Sequence, residues 1–160
     1  MNIDAETNRP PIPCPDCAGM MYLQEKPPVW GKGVVYLCEN RLSGCRGLLS
    51  AHPNGEPCGT PADAYTRQAR RKVHQLFDPL WQEAEAMYLG DTAPLNPRKL
   101  RGTARSRAYQ WLAEILNLPV KKCHISLMNV EDLRNAWRAI RLHKPTMYSI
   151  REWAKQRKQL

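Results

Sequence analysis

Cys14-Pro15-Asp16-Cys17 is answered further along the chain by Cys38 and Cys45, and these positions decide how the first third of the sequence folds. Two thiols spaced two residues apart on a tight turn point the same way. A second pair on a returning hairpin completes four soft donors, the set that suits Zn²⁺ in a closed tetrahedral site. The surrounding sequence has little else to hold it together, since the chain carries 14 prolines and a single phenylalanine. A bound metal supplies roughly 10–16 kcal/mol of coupled binding and folding energy to such a segment. Residues 10–58 are therefore expected to form a small β zinc ribbon around one structural Zn²⁺, with Cys14, Cys17, Cys38 and Cys45 as ligands. The Cys38-x6-Cys45 spacing is wider than the usual two to four residues, so His52 and Cys58 stand in reserve for the fourth place. Four thiolates leave no open coordination position, which argues for a structural metal and against an activated water.

Working outward, Pro10-Pro11-Ile12-Pro13 is an extended lead-in and Met20-Met21-Tyr22-Leu23 reads as a strand, interrupted by Lys26-Pro27-Pro28. Val34-Val35-Tyr36-Leu37 is β-branched and aromatic and runs straight into Cys38, so a ligand sits at a strand end. Between them, Val29-Trp30-Gly31-Lys32-Gly33 has the composition of a hairpin tip. Residues 45–50 suggest a third short strand, and His52-Pro53-Asn54-Gly55 a turn.

From Pro61 the period lengthens from two to 3.6. Ala62, Tyr65, Ala69, Val73 and Leu76 share one helical face, with Arg67, Arg70, Arg71 and His74 opposite. Asp78-Pro79 pairs a capping residue with proline at the first helical position, so a second helix or a sharp kink begins there. Residues 90–102 hold two prolines and two glycines and read as a loop. Thr103 is the expected cap of a helix carrying Ala108, Trp111, Leu112, Ile115 and Leu116, stopped by Pro119. Asn129 caps the next, whose apolar stripe is Val130, Leu133, Trp137 and Ile140, with Arg134, Arg138 and Arg141 on its flank. A short last helix from Ser149 runs through Trp153 into the basic tail. Trp81, Trp111 and Trp137 are assigned to the core. The expected fold class is thus α+β: the ribbon packed on a basic, mainly α-helical region over residues 59–160.

The formal charge is +9, unevenly spread. Residues 1–60 hold 5 Lys/Arg against 6 Asp/Glu, a net of −1, and residues 61–160 hold 19 against 9, a net of +10. A cationic half of that size favours a polyanionic partner, most often nucleic acid. The N-terminus has neither a basic n-region nor an apolar h-region, and no run approaches the ~18 apolar residues of a membrane span. The expected setting is a reducing cytoplasm, in which Cys-x-x-Cys spacing reads as metal binding and not as disulfides.

Several blocks together carry a resemblance. They are the Cys14-x-x-Cys17 knuckle, Gly59-Thr60-Pro61-Ala62-Asp63, and His74-Gln75-Leu76-Phe77-Asp78-Pro79-Leu80-Trp81. Ala108-Tyr109-Gln110-Trp111-Leu112-Ala113 and Cys123-His124-Ile125 complete the set. Over residues 12–140 the chain resembles the zinc-finger-containing domain family of unknown function found in bacteriophages and in bacterial and plasmid genomes. The resemblance implies a zinc ribbon and a phage or mobile-element origin, in which case the cytoplasm is the host's. It brings no established activity. The sequence departs from the family pattern in its wide Cys38–Cys45 spacing and in residues 89–102, which look inserted.

Among candidate contacts, Trp30 beside Lys32 at a hairpin tip is placed to stack on a base, with folding back over the knuckle as the alternative. The basic clusters are Arg67/Arg70/Arg71, Arg98/Lys99/Arg101/Arg105/Arg107, Arg134/Arg138/Arg141 and the C-terminal tail. Together they predict a phosphate-binding surface for DNA or RNA, with salt-dependent and largely sequence-independent affinity. No Gly-rich phosphate loop and no catalytic carboxylate pair is present, and no catalytic residue, small-molecule substrate or membrane partner is expected. The rival expectation is a protein-interaction module that binds and inhibits or redirects a host enzyme or defence complex. A third, a nuclease using His74 or His124, lacks the acidic residues of a metal-dependent centre. Cys123 and His124 are adjacent, so their side chains are ill placed to pair as nucleophile and base, and packing roles are expected.

Overall fold

Alternation in the N-terminal third produces an antiparallel sheet of four strands in sequence order: β1 (Ile12–Pro13), β2 (Met20–Glu25), β3 (Val34–Cys38) and β4 (Leu48–Ser50). The structure is a computed structural model and describes residues 9–88 and 96–157. Register places Met21 opposite Cys38, Leu23 opposite Tyr36, and Tyr36 opposite Leu49. Cross-strand partners share a face, so these five side chains converge on one side of the sheet. With Cys14, four of them (Met21, Tyr36, Cys38 and Leu49) form the buried cluster of this unit. Leu23 is partly buried against it. Tyr36 closes the face by donating its hydroxyl to the Gly55 carbonyl at 3.0 Å. The β2–β3 hairpin tip is a short 3-10 turn over Pro28–Trp30.

The chain divides into two compact units, residues 1–68 and 69–160, with the boundary inside α1 (Ala64–Phe77). The helix starts at Ala64, where Asp63 Oδ1 accepts the Thr66 N–H at 2.7 Å as a side-chain cap. Tyr65, expected on the apolar face, is 58% exposed, and the residues that α1 buries are Val73 and Phe77. After Phe77 the chain kinks into a 3-10 turn at Asp78–Leu80, then a second over Ala84–Tyr88, so of the two expectations at Asp78-Pro79 the sharp kink forms and the second α-helix does not. Pro79 offers no backbone N–H, and Asp78 Oδ1 binds His74 Nδ1 and Trp81 Nε1 at 3.1 and 3.3 Å, locking the bend.

Among the described residues, three further α-helices follow in the second unit: α2 (Pro97–Ile115), α3 (Val130–His143) and α4 (Met147–Arg157). The cap expected at Thr103 lies instead at Asn96, whose Oδ1 accepts the Lys99 N–H at 3.0 Å, with Pro97 at the first position. A helix absorbs one Gly at a cost of about 1 kcal/mol, so Gly102 does not break it, and Thr103 sits inside with its hydroxyl on the Lys99 carbonyl. The remainder of the expected loop, residues 90–95, lies outside the described residues. Asn129 caps α3 as expected, accepting the Asp132 N–H at 2.9 Å. Helix α4 begins two residues before Ser149, because Thr146 and Ser149 cap reciprocally, each side chain taking the other's backbone N–H. The core joins Phe77, Tyr109, Leu112, Ile125, Met128, Leu133 and Ile150, with the Phe77 and Tyr109 rings 4.5 Å apart. Trp111 is buried and Trp81 partly so, but Trp137 is 38% exposed and does not belong to the core.

Candidate metal centre and cationic surfaces

The sheet brings Cys14, Cys17, Cys38 and Cys45 together with all four Sγ atoms within 4.8 Å of one another. Cys14 and Cys17 flank the turn between β1 and β2, Cys38 ends β3, and Cys45 closes the 3-10 turn over Glu39–Ser43 that follows it. The Cys14–Cys45 and Cys17–Cys38 separations are 3.7 and 3.5 Å. A tetrahedron of sulfurs around zinc at ~2.3 Å has edges of about 3.8 Å, so the cluster has the dimensions of a filled site. It is not oxidised: all six cysteines are free, and both separations far exceed the ~2.05 Å of a disulfide. The six residues between Cys38 and Cys45 are taken up by the 3-10 turn, which returns the chain and places Cys45 N–H on the Asn40 carbonyl at 3.2 Å.

Backbone N–H groups from Gly19, Asn40 and Gly47 each donate to the sulfur two residues earlier, Cys17, Cys38 and Cys45, at 3.4 Å. Asn40 adds its side-chain amide to Cys17 Sγ at 3.5 Å. These donors offset the charge near −2 that four thiolates leave around a divalent ion, and they fix the direction of each sulfur. At Cys17 the Asn40 side-chain amide dominates and, with the Gly19 N–H, pulls the thiol down to about 6. Burial pushes Cys38 up to about 12. At Cys45 the Gly47 N–H favours the thiolate, but burial and the Cys17 and Cys14 sulfurs outweigh it and its pKa is raised. Four thiols packed so closely cannot all ionise alone; a divalent cation supplies the missing charge. Gly47 is required sterically, because a Cβ there would overlap Cys14 Sγ.

Residues 10–92, slightly more than half of the chain, match the family model of a zinc-finger-containing domain. The chain belongs to that family. The domain holds one structural Zn²⁺, and its four-sulfur donor set leaves no position for a reacting water. The two later blocks, Ala108–Ala113 and Cys123–Ile125, lie beyond the matched segment. Comparison with curated proteins and with solved structures returned no match. Neither reserve ligand joins the cluster: His52 sits in an exposed turn, and Cys58 pairs its N–H with the Ser50 carbonyl at 2.8 Å.

Sequence reasoning missed what the zinc-finger unit does with Asp16 and Arg67. Asp16 Oδ1 accepts the Ala64 N–H at 2.7 Å, and its Oδ2 pairs with Arg67 Nη2 at 2.8 Å. Arg67 also donates to the Arg46 and Ala62 carbonyls at 3.2 and 2.6 Å. Asp16 lies inside the first knuckle and Arg46 follows Cys45 directly, so one guanidinium ties both knuckles to the start of α1. Both side chains of the ion pair are only 15% exposed. Arg67 is thus occupied internally. Arg70, whose Nη2 reaches the Met128 carbonyl at 3.3 Å, is half-buried, and burial lowers its pKa.

The remaining candidates are surface groups with varied company. Trp30 is 42% exposed and lies under Arg41, whose guanidinium carbon is 4.9 Å from the ring centroid. It shares a hollow of about 330 Å³ with Arg46 and Cys45, beside the second knuckle, while Lys32 is exposed at the hairpin tip. Arg71 is exposed on α1. On α2, Arg98, Arg101 and Arg105 follow one face at i, i+3, i+7, whereas Lys99 and Arg107 turn to another. Arg101 meets Glu85 at 3.7 Å, and Arg105 stacks over Trp81 and Tyr109 at 5.2 and 5.7 Å. On α3, Arg134, Trp137, Arg138 and Arg141 occupy i, i+3, i+4 and i+7, all exposed, with Arg141 4.7 Å over the Trp137 ring. His74 is held by Asp78, and the His124 ring packs tilted against Tyr109 with centroids 4.5 Å apart. Cys123 is fully buried, and desolvation, with the Asp132 charge, pushes its thiol up to about 11. No helix among the described residues is long and apolar enough to cross a membrane.

Proposed function

We propose that this zinc-finger protein binds nucleic acid through cations of its second unit, without catalysing a reaction. The observation that carries the proposal is the α3 stripe of Arg134, Trp137, Arg138 and Arg141, four exposed residues on one helix face with the Arg141 guanidinium over the Trp137 ring. Arginines at that spacing meet successive phosphates, and Trp137 adds a stacking surface. Arg98 and Lys99 on α2 and Arg71 on α1 are further exposed cations. The zinc site stiffens its own unit. A non-enzymatic role is supported by the employment of the candidate bases and nucleophile in packing: His74 braces a bend, His124 packs against Tyr109, and Cys123 is buried with a raised pKa. The phage or mobile-element origin and host-cytoplasmic setting belong to this proposal as what the resemblance implies.

Fluorescence anisotropy with labelled DNA and RNA across a salt series tests it. Replacing Arg134, Arg138 and Arg141 by Gln is expected to weaken binding about 10- to 100-fold on every sequence and to flatten the log–log salt slope by about 2–3. Absence of binding to either polymer at low salt refutes it. A second function, docking on a host protein, is favoured by apolar exposure in the ribbon, with Val29 88% and Leu42 102% exposed. Pull-downs from host lysate with and without nuclease separate the two, since digestion removes only a nucleic-acid tether.

A further inference from the structure

Helices α2 and α4 enclose a groove of about 720 Å³ that none of the sequence motifs announced. Its volume falls within the ~300–1,000 Å³ usual for small-ligand sites. Lys99, Ser106 and Gln110 line one wall, following α2 at i, i+7 and i+11; Trp153 and Arg157 of α4 form the other, and Arg107 reaches into it. The cationic and aromatic groups are organised. Arg157 lies over the Trp153 ring with its guanidinium carbon 4.4 Å from the centroid, and its Nε and Nη2 both bond the Glu114 carboxylate. That carboxylate holds the guanidinium in place over the indole and balances its charge, so the platform is an ordered Arg–Trp pair. No acidic residue lines the groove, and Glu152, the neighbour of Trp153, is engaged by Lys155 at 2.7 Å. At Gly102 the groove wall is open, with nothing within 4 Å of the place a Cβ would occupy.

We propose that this groove seats one unpaired nucleotide of a single-stranded nucleic acid, the base lying on the Trp153–Arg157 platform and the phosphate between Lys99 and Arg107. A flat ring, a phosphate, and hydroxyl and amide partners at Ser106 and Gln110 are what the lining matches in kind. A volume of about 720 Å³ has room for a single ring with its sugar-phosphate. The inference rests on the nucleic-acid reading of the second unit and narrows it to single strands for this groove, apart from the α3 stripe.

Anisotropy with the zinc-loaded full chain tests it, using a labelled single-stranded 12-mer and a blunt hairpin duplex of the same sequence. The variants are Ser106→Glu, which puts a carboxylate into the groove from an exposed position, and Lys99→Gln. Thermal melting verifies that both are folded. Ser106→Glu is expected to weaken single-strand binding at least tenfold and duplex binding less than twofold, with Lys99→Gln a smaller loss of the same selectivity. Unchanged single-strand affinity in both variants, or equal losses on strand and duplex, overturns the groove assignment while leaving the nucleic-acid function standing. Failure of the unmodified chain to bind either probe at low salt removes that function, and the groove assignment with it.

Discussion

The two units of this chain are stabilised by different means. In the first, five buried residues make up the apolar cluster among the described residues, and two of them are the zinc ligands Cys14 and Cys38. In the second, sixteen buried residues form one cluster centred on Phe77, Tyr109, Leu112 and Leu133. A core that small cannot offset the conformational entropy of ordering its chain, whereas sixteen packed side chains can contribute substantially toward it. The difference teaches that charge is distributed according to what stabilises each half. The metal-bound half spends its cysteines on structure and stays near neutrality. The half with its own core is free to carry the net +10 on its surface.

Removing the metal should break that contrast most completely. With a strong chelator, hydrogen exchange is expected to lose protection throughout β1–β4, since roughly 10–16 kcal/mol of coupled folding energy goes with the ion. Protection in α2 and α3 should persist. Loss of protection in both units together would mean that the second core is not self-sufficient. The converse perturbation is Leu112→Ala, at a fully buried site. It should destabilise the second unit by about 2–5 kcal/mol in thermal or chemical melting, with zinc content unchanged.

Much of the metal site and of the α+β fold was legible in the sequence, and what was missed has identifiable physical causes. Cys14, Cys17 and the β-branched run into Cys38 specify the ribbon locally, because ligand spacing and strand alternation are short-range signals. Cys45 was harder to place by spacing, yet Cys17-Ala18-Gly19 and Cys45-Arg46-Gly47 share a Cys-x-Gly pattern that marks both sulfur-binding turns. Asn129 was readable as a cap because nothing competed with it, whereas Gly102 drew attention away from Asn96-Pro97. Trp137 satisfied the helical period but stands at the edge of the apolar stripe, where its ring lies under Arg141. Arg67 was invisible as a clamp because Asp16, its partner, lies 51 residues away, and no local periodicity reports such a pairing.

That clamp offers a way to sharpen the comparison. Asp16→Ala removes a capping acceptor from α1 and the partner of a half-buried arginine. A loss of about 1–2 kcal/mol is expected, read as earlier melting of the first unit, with zinc still bound at one per chain. Zinc loss in this variant would place Asp16 in the metal site instead. The smallest effect concerns pH. Burial, with Arg105 nearby, lowers the His124 pKa from its ordinary value near 6.5, so the folded second unit prefers the neutral ring. Stability from this group is therefore complete above about pH 6.5 and is lost as pH falls through the lowered value. The melting temperature of the second unit should drop between pH 7.5 and 5.5, and His124→Gln should reduce that slope.

The most direct measurement is zinc content together with zinc-edge X-ray absorption on protein purified without added metal. One zinc per chain, with four sulfur neighbours at about 2.3 Å, is the expected result. Sub-stoichiometric zinc, or a nitrogen or oxygen atom in place of any of the four sulfurs, would contradict the closed cysteine site on which the first unit depends.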